Sequence, residues 1–130
     1  MKDVLLRRAE RGNHIIPMLL HDVRSHVVIK AVLLDISAEG LRCFSNDRRL
    51  MLIRDEALYD KVFRLEFDLQ DLNSGNLEGR VVNIHPGKEP NYERRLGILF
   101  TNISPIMARD INRIVWIDTA NVPKQARAKR

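Results

Sequence analysis

Apolar residues recur along this chain with the spacing of short β-strands. The clearest case is residues 62–70, where Phe63, Leu65, Phe67 and Leu69 alternate with charged or polar residues. A period of two is typical of a strand with one buried face. Similar apolar or β-branched segments predict strands over residues 13–22, 25–37, 40–45, 77–84 and 94–102. Six short strands predict an all-β fold, a small six-stranded antiparallel β-barrel.

The segments between these strands carry turn and loop signals. Ala38 and Glu39 predict a tight turn, and residues 73–76 (Asn-Ser-Gly-Asn) predict another. Residues 46–60 are ambiguous and predict a loop with a helical turn. Pro17 lies within the first strand, where it indicates a bulge or an edge position because proline lacks an N–H to donate.

A C-terminal helix is predicted to start at Ser104 and Pro105. Serine is a good N-cap, and proline suits the first helical position. Helical spacing gives an apolar stripe made of Met107, Ile111, Ile114 and Val115. This helix could close one mouth of the barrel. Trp116 falls about 180° from Met107 around the helix, so either the helix ends early and Trp116 folds back onto the barrel, or Trp116 marks a contact surface.

Charge is concentrated at the two ends of the 130-residue chain. The net charge is +5, of which residues 1–12 contribute +2 and residues 119–130 contribute +4, so that the body is almost neutral. A groove for long nucleic acid would be basic along a whole face, whereas local basic clusters suit a small anion. We expect one domain over residues 1–118 with an N-terminal arm, followed by a basic, disordered tail over residues 119–130.

Several classes of protein are disfavoured by what the sequence lacks. No apolar run reaches the roughly 20 residues of a membrane helix, and the first residues do not resemble a secretory signal. The single cysteine, Cys43, cannot form an internal disulfide and is interpreted as a small apolar strand residue. We therefore expect a cytoplasmic protein without membrane insertion.

No catalytic or metal-binding constellation is apparent. The four histidines, at positions 14, 21, 26 and 85, lack the spacing of a zinc site and are interpreted as surface or strand residues. Glycine-rich phosphate loops are absent from the sequence. We expect a protein that is not an enzyme and that uses no metal and no cofactor.

Two short clusters carry the functional signal. The first is an RxxxR pattern formed by Arg7 and Arg11, with Arg8 inside it. The second is a DxSxxG pattern formed by Asp35, Ser37 and Gly40, which begins 24 residues after Arg11. Taken alone, the arginines could belong to a solvated helix face, and the second pattern could be an ordinary turn.

Together, in this order and at this spacing, the two clusters resemble the signature of the PilZ domain family. The segments GLRCFS, LEGRVVNI and RRLGILF, followed by the terminal helix, extend the resemblance over residues 5–118. It implies a β-barrel receptor for the bacterial second messenger cyclic di-GMP. It also implies a ligand-binding set that is made of Arg7, Arg8, Arg11, Asp35, Ser37 and Gly40.

The chemistry of these residues suits that ligand. Guanidinium groups bind phosphates bidentately, stack on purines and match the O6/N7 edge of guanine. Asp35 can accept hydrogen bonds from the guanine N1–H and N2–H₂ groups, and Ser37 adds a hydroxyl. Gly40 supplies a position of close backbone approach or of positive φ. Binding would clamp the arm onto the barrel and so signal to an unidentified target protein.

Some points stay open at the sequence level. Leu6 stands where many family members have another arginine, which puts binding of an intercalated ligand dimer in doubt. Whether the chain forms a homodimer is left open. Nucleic acid is not an expected partner, and the one observation in favour of it is the pI near 9.8. The alternative function is a PilZ-like protein-interaction module that does not bind the nucleotide. The process under control is not indicated by the sequence.

Overall fold

The computed structural model of the chain describes residues 16–69, 72–86 and 93–120, with side chains up to residue 114 in the last range. These residues form eight strands and three helices. The strands are β1 Ile16–Asp22, β2 Val28–Ile36, β3 Gly40–Ser45, β4 Val62–Glu66, β5 Asp68–Leu69, β6 Leu72–Asn73, β7 Glu78–Pro86 and β8 Arg94–Phe100. The helices are α1 Arg48–Met51, α2 Asp55–Leu58 and α3 Pro105–Ala120.

Six of the strands close into an antiparallel barrel in the order β1-β2-β3-β8-β7-β4. This confirms the predicted fold class. The remaining two strands, β5 and β6, form a separate small hairpin. Closure pairs the strand edges within the barrel itself.

The predicted strand over residues 62–70 is wrong in its length, because β4 ends at Glu66. The backbone N–H of Phe67 donates to the hydroxyl of buried Ser74 at 3.0 Å, and the N–H of Ser74 donates back to the carbonyl of Phe67 at 3.2 Å. These two bonds fold the chain back into the β5–β6 hairpin. Phe67 and Leu69 are buried nonetheless, as the alternation predicted.

Inward-facing residues of all six barrel strands form one apolar core. Cys43 is fully buried in it, and burial raises the pKa of its thiol to about 12. The interpretation of Cys43 as a small apolar strand residue is therefore confirmed. Pro17 pairs with Val32 of β2, whereas the pairing of β1 with β4 begins only at Leu19. Pro17 thus occupies the edge-like position, and β1 has no register shift.

Two bulges interrupt the alternation of inward and outward side chains. The β2–β3 register shifts between Leu33 and Asp35, and the β7–β8 register shifts between Val81 and Asn83. In β2, both Leu33 and Leu34 are buried, and the extra residue returns Asp35 to the outer face. A bulge re-aims side chains in this way, often beside a functional site.

Helix α3 starts as predicted, since the hydroxyl of Ser104 accepts the N–H of Met107 at 3.1 Å. Ile111 and Ile114 belong to the barrel core, and Met107 packs against it. The helix continues to Ala120, so of the two alternatives for Trp116 the one in which the helix ends early is wrong. The side chain of Trp116 lies outside the described residues.

The segments outside the barrel differ in part from the sequence expectations. Residues 46–61 contain two four-residue helices instead of one helical turn, because Leu50 and Leu58 are both fully buried and anchor them. Residues 119 and 120, assigned to the disordered tail, are helical, and residues 121–130 lie outside the described part of the chain. Within the described part, no helix is long and apolar enough to cross a membrane.

Candidate functional site

The turn between β2 and β3 forms one end of the barrel, which we call the motif end (residues 35–42). Ser37 builds this turn. Its backbone N–H donates to the carbonyl of Gly40 at 2.8 Å, and its hydroxyl accepts the N–H of Glu39 at 3.2 Å. The hydroxyl also lies 3.4 Å from the carbonyl of Gly40, to which it donates. Ser37 therefore stabilises the turn through its backbone and its hydroxyl, independently of any ligand.

Gly40 is required by the close packing of the turn against β8. A Cβ atom at this position would lie 2.2 Å from the backbone oxygen of Ile98. The neighbouring carbonyl of Glu39 accepts the N–H of Phe100 at 2.9 Å. Of the two sequence-level explanations for this glycine, close approach applies and positive φ does not, since among the described glycines only Gly75 has a positive φ.

Asp35 lies on the outer face of β2, directly opposite Arg42 of β3. The guanidinium of Arg42 donates to Oδ2 of Asp35 through Nε at 2.6 Å and also through Nη2. The other carboxylate oxygen, Oδ1, accepts no hydrogen bond from any described residue. The Asp35 side chain keeps 14% of its surface exposed and lines a depression on the barrel surface.

Arg42 was missed by the sequence analysis, although a signal for it exists. Leu41 and Cys43 point inward, so the alternation of β3 places Arg42 on the outer face. What the sequence does not provide is the register that sets Arg42 opposite Asp35, because the bulge at Leu34 shifts it by one residue.

A shallow depression of about 300 Å³ lies on the outer barrel surface beside these residues. Asp35, Ser37, Gly40 and Arg42 line one side. The other side comes from strands that are distant in sequence, through Val82, Asn83, Gly97 and Leu99. The β2 bulge and the β7 bulge both border the depression, so the two irregular points of the barrel coincide at one surface site.

The arginine cluster of Arg7, Arg8 and Arg11 lies outside the described residues. The structure does define where the chain leading from it enters the barrel. Strand β1 starts at Ile16, which is paired with Leu33, two residues before Asp35. The chain therefore enters the fold at the same end as the motif turn.

The histidines of the described residues do not form a metal site. Nε2 of His21 donates to the carboxylate of Glu66 at 2.7 Å on the surface, and His26 and His85 are exposed. No group of three or more potential metal ligands occurs within the described ranges. His14 lies outside them.

A closed six-stranded antiparallel barrel, a C-terminal helix and a polar depression beside the β2–β3 turn define a small β-barrel domain. Residues 5–115 match the family model of the PilZ domain. This is most of the chain, and the chain belongs to the PilZ domain family. PilZ domains are cyclic di-GMP receptors and are in general not enzymes.

Solved structures share this fold at low sequence identity. The PilZ domain of YcgR from Escherichia coli, solved with c-di-GMP, has a TM-score of 0.59 and 17% identity over 88% of this chain and 86% of that one. MotI/DgrA, an inhibitor of motility from Bacillus subtilis, has a TM-score of 0.64 and 14% identity over 85% of this chain and 50% of that one.

MrkH from K. pneumonia is a third similar structure, with a TM-score of 0.64 and 13% identity over 90% of this chain. The chain spans about half the length of MotI/DgrA and of MrkH. No curated protein sequence gave a match. At these identities the similarity extends to the fold alone.

Proposed function

We propose that this chain is a receptor for cyclic di-GMP that binds the nucleotide at the motif end and regulates a target protein. Family membership and the similar YcgR domain solved with c-di-GMP support the ligand class. The observation that carries the proposal is the state of Asp35: its Oδ2 is held by Arg42, while its Oδ1 has no described partner.

A carboxylate in this state suits a guanine edge. Guanine presents N1–H and N2–H₂ as adjacent donors, and an ionised carboxylate is an acceptor only. The two hydrogen bonds from Arg42 hold Asp35 in one orientation, so little conformational freedom is lost when a ligand binds. We infer that Arg42 is a positioning residue for Asp35.

The phosphates of the ligand require cations from elsewhere. The motif end carries two carboxylates, Asp35 and Glu39, and one guanidinium, Arg42. A dianionic ligand would be repelled there without further positive charge. Arg7, Arg8 and Arg11 are the proposed source, because guanidinium groups bind phosphate oxygens bidentately.

The arm is long enough for this role. Ile16 lies five positions after Arg11, and an extended chain covers about 3.3–3.6 Å per position, or roughly 17 Å here. Asp35 lies only two residues beyond the partner of Ile16. Binding would therefore hold the arm against the barrel, and this ordered arm is the proposed signal to the target.

Ser37 and Gly40 have supporting roles in the proposal. Toward the described residues, the hydroxyl of Ser37 donates one long bond, at 3.4 Å, so its proton can turn toward a ligand. Gly40 keeps the turn flat against β8, which leaves the depression open to the nucleotide.

Isothermal titration calorimetry with cyclic di-GMP tests the proposal and reports the stoichiometry. We expect binding that GTP and cyclic AMP do not reproduce. Arg11→Ala should weaken it by more than about 1.5 kcal/mol, the low end for a charge-assisted hydrogen bond. Asp35→Ala should weaken it more than Asp35→Asn, because an amide oxygen still accepts.

Arg42→Met tests the positioning role against a matched control. We expect about a tenfold loss of affinity, which corresponds to about 1.4 kcal/mol, and a loss of the preference for guanine over adenine dinucleotides. Arg95→Met is the control, because Arg95 is also an outward strand arginine and is 49% exposed against 50% for Arg42. Absence of heat and of a thermal shift in the folded wild-type protein would favour the interaction module without nucleotide binding.

A further inference from the structure

The end of the barrel opposite the motif end exposes an unusual share of apolar surface. We call it the connection end (residues 22–28 and 46–61), after the long connection between β3 and β4. Among the described residues, six large apolar side chains are exposed, and four of them lie here. They are Val23, Val27, Leu52 and Tyr59, of which Leu52 is 74% exposed.

Two sets of contacts bring together the segments that carry these side chains. Arg49 of α1 donates through Nη1 to the carbonyl of Val28 at 2.7 Å, which fixes α1 beside the β1–β2 turn. On the other side of that turn, a groove of about 470 Å³ is lined by Val23 and Arg24 together with Ala57 and Tyr59. The β1–β2 turn therefore lies between the two short helices.

Nearly all carboxylates of the connection end are engaged within the protein. Asp22 binds Lys61 at 2.7 Å, and Asp60 binds Arg80 at 2.7 Å. Asp55 binds Arg94 at 3.0 Å. The carboxylate of Asp47 accepts the backbone N–H groups of residues 30 and 49 at 2.8 and 2.9 Å.

The arginines of the same face, in contrast to its carboxylates, are mostly not engaged in ion pairs with described residues. Arg24, Arg48 and Arg54 form no ion pair with any described residue and are exposed. Arg49 is exposed as well, and its described side-chain partner is a carbonyl. The face thus presents four guanidinium groups, whereas Glu56 is its one exposed acid without a described partner.

We propose that the connection end is a docking face for a partner protein. The surface of that partner would be acidic and would also carry apolar side chains. Arginine and tyrosine are enriched at protein interfaces. Such interfaces typically have an apolar centre with a polar rim, and the charges of the two partners are complementary. The groove can accept a partner side chain. This inference does not depend on nucleotide binding.

Two other occupants fit the face less well. A second copy of the chain, docked through the same face, would set arginines against arginines. A flat anionic bilayer would not fill the groove and would approach the carboxylates of Asp55, Glu56 and Asp60. Both occupants are distinguished by the experiment below.

Backbone hydrogen bonds hold two residues of this face in place, which limits the conformational freedom that binding would cost. His26 and Asp60 have positive φ values of 64° and 67°, an uncommon conformation for residues other than glycine. Each is held by a backbone bond: the N–H of His26 donates to the carbonyl of Asp22 at 3.1 Å, and that of Asp60 to the carbonyl of Val81 at 2.9 Å.

Fluorescence anisotropy with a labelled peptide of alternating glutamate and leucine tests the proposal. We expect binding at least tenfold tighter than that of the same peptide with lysine in place of glutamate, and weaker binding as salt increases. Arg24→Glu/Arg48→Glu should reduce the affinity at least tenfold, and Leu52→Ser about fivefold. The control is Arg109→Glu/Arg113→Glu on α3, where both arginines are at least 70% exposed, and it should change the affinity less than twofold.

The contrary results are equally specific. The proposal is overturned if the two peptides bind equally or not at all, or if the control reduces binding as much as Arg24→Glu/Arg48→Glu. Sedimentation of the protein with phosphatidylcholine vesicles containing phosphatidylserine, lost in Leu52→Ser, would indicate a membrane surface instead. Self-association in analytical ultracentrifugation, lost in the same variant, would indicate a second copy.

Discussion

The two ends of the barrel connect strands that follow one another along the chain, and they do so in different ways. At the motif end, residues 37–39 join β2 to β3, and the turn is held by backbone bonds and by the close contact of Gly40 with β8. At the connection end, residues 46–61 join β3 to β4, and side-chain carboxylates hold the connection and the adjacent turn in place.

This difference determines which side chains are left for binding. Because the turn is held largely by its backbone, one carboxylate oxygen of Asp35 has no described partner. A long connection that uses its carboxylates internally leaves its arginines exposed. The same fold therefore carries a partly engaged carboxylate at one end and exposed arginines without a described ion pair at the other.

The largest effect should come from removing the close contact at the motif end. In Gly40→Ala, the new Cβ would lie 2.2 Å from the backbone oxygen of Ile98, which cannot move without breaking the β3–β8 pairing. We expect the free energy of unfolding in urea to fall by about 3 kcal/mol, the upper end of the usual cost of overpacking.

Gly75→Ala is the matched control for that substitution. Gly75 has a φ of +58°, but a Cβ there would meet nothing within 4 Å. We therefore expect Gly75→Ala to lower the free energy of unfolding by about 1–2 kcal/mol, through backbone strain alone. If Gly40→Ala unfolds at the same urea concentration as the wild type, the packing of the turn against β8 is not what holds the motif end.

A smaller effect should follow from removing a carboxylate that holds the connection end. Burial alone would raise the pKa of Asp22, but the hydrogen bonds from Lys61 and from the N–H of Arg24 outweigh it and lower the pKa to about 2. Asp22→Asn should therefore reduce the free energy of unfolding at pH 7 by about 2 kcal/mol, as expected for a shift of this size.

The pH dependence gives the sign of this contribution. Because the folded-state pKa lies below the ordinary value of 3.8, the stabilisation is complete above about pH 4 and is lost as the pH falls toward 2. Wild type and variant should then converge in acid. Asp55→Asn is the control, since Asp55 is 61% exposed and its pair with Arg94 should contribute less than about 1 kcal/mol. A difference between wild type and Asp22→Asn that is constant from pH 2 to pH 7 would show that charge is not the cause.

The sequence predicts the motif end better than the connection end, for a physical reason. Strand β3 starts and ends where its pattern predicts, at Gly40 and Ser45, because a tight turn and alternation are local signals. Helices α1 and α2 have four residues each and depend on burying Leu50 and Leu58 against the barrel. Such anchoring is a tertiary contact that local periodicity does not report.

The candidate site is predicted from sequence only in part. Asp35, Ser37 and Gly40 follow from a motif within six residues. Arg42, Asn83 and the other lining residues depend on strand register and on two bulges, which no local pattern reveals. Family membership and the fold are established, whereas the ligand-binding roles of the motif residues and of the arm arginines stay predictions.

The smallest effect should be that of the connection end on nucleotide binding. We expect Arg24→Glu/Arg48→Glu to change the affinity for cyclic di-GMP less than twofold in calorimetry. Strand β2 runs from one end of the barrel to the other, and its nine residues rise roughly 26 Å from Val28 to Ile36 at about 3.3 Å per residue. This separation is about three times the Debye length of about 8 Å at physiological salt. Charge reversal at one end should therefore not reach the phosphates at the other by electrostatics alone, whereas Asp35→Ala in the same assay should reduce binding strongly. A tenfold loss in the arginine variant, with an unchanged melting temperature, would mean that the nucleotide contacts the connection end or that the two ends are coupled through the barrel.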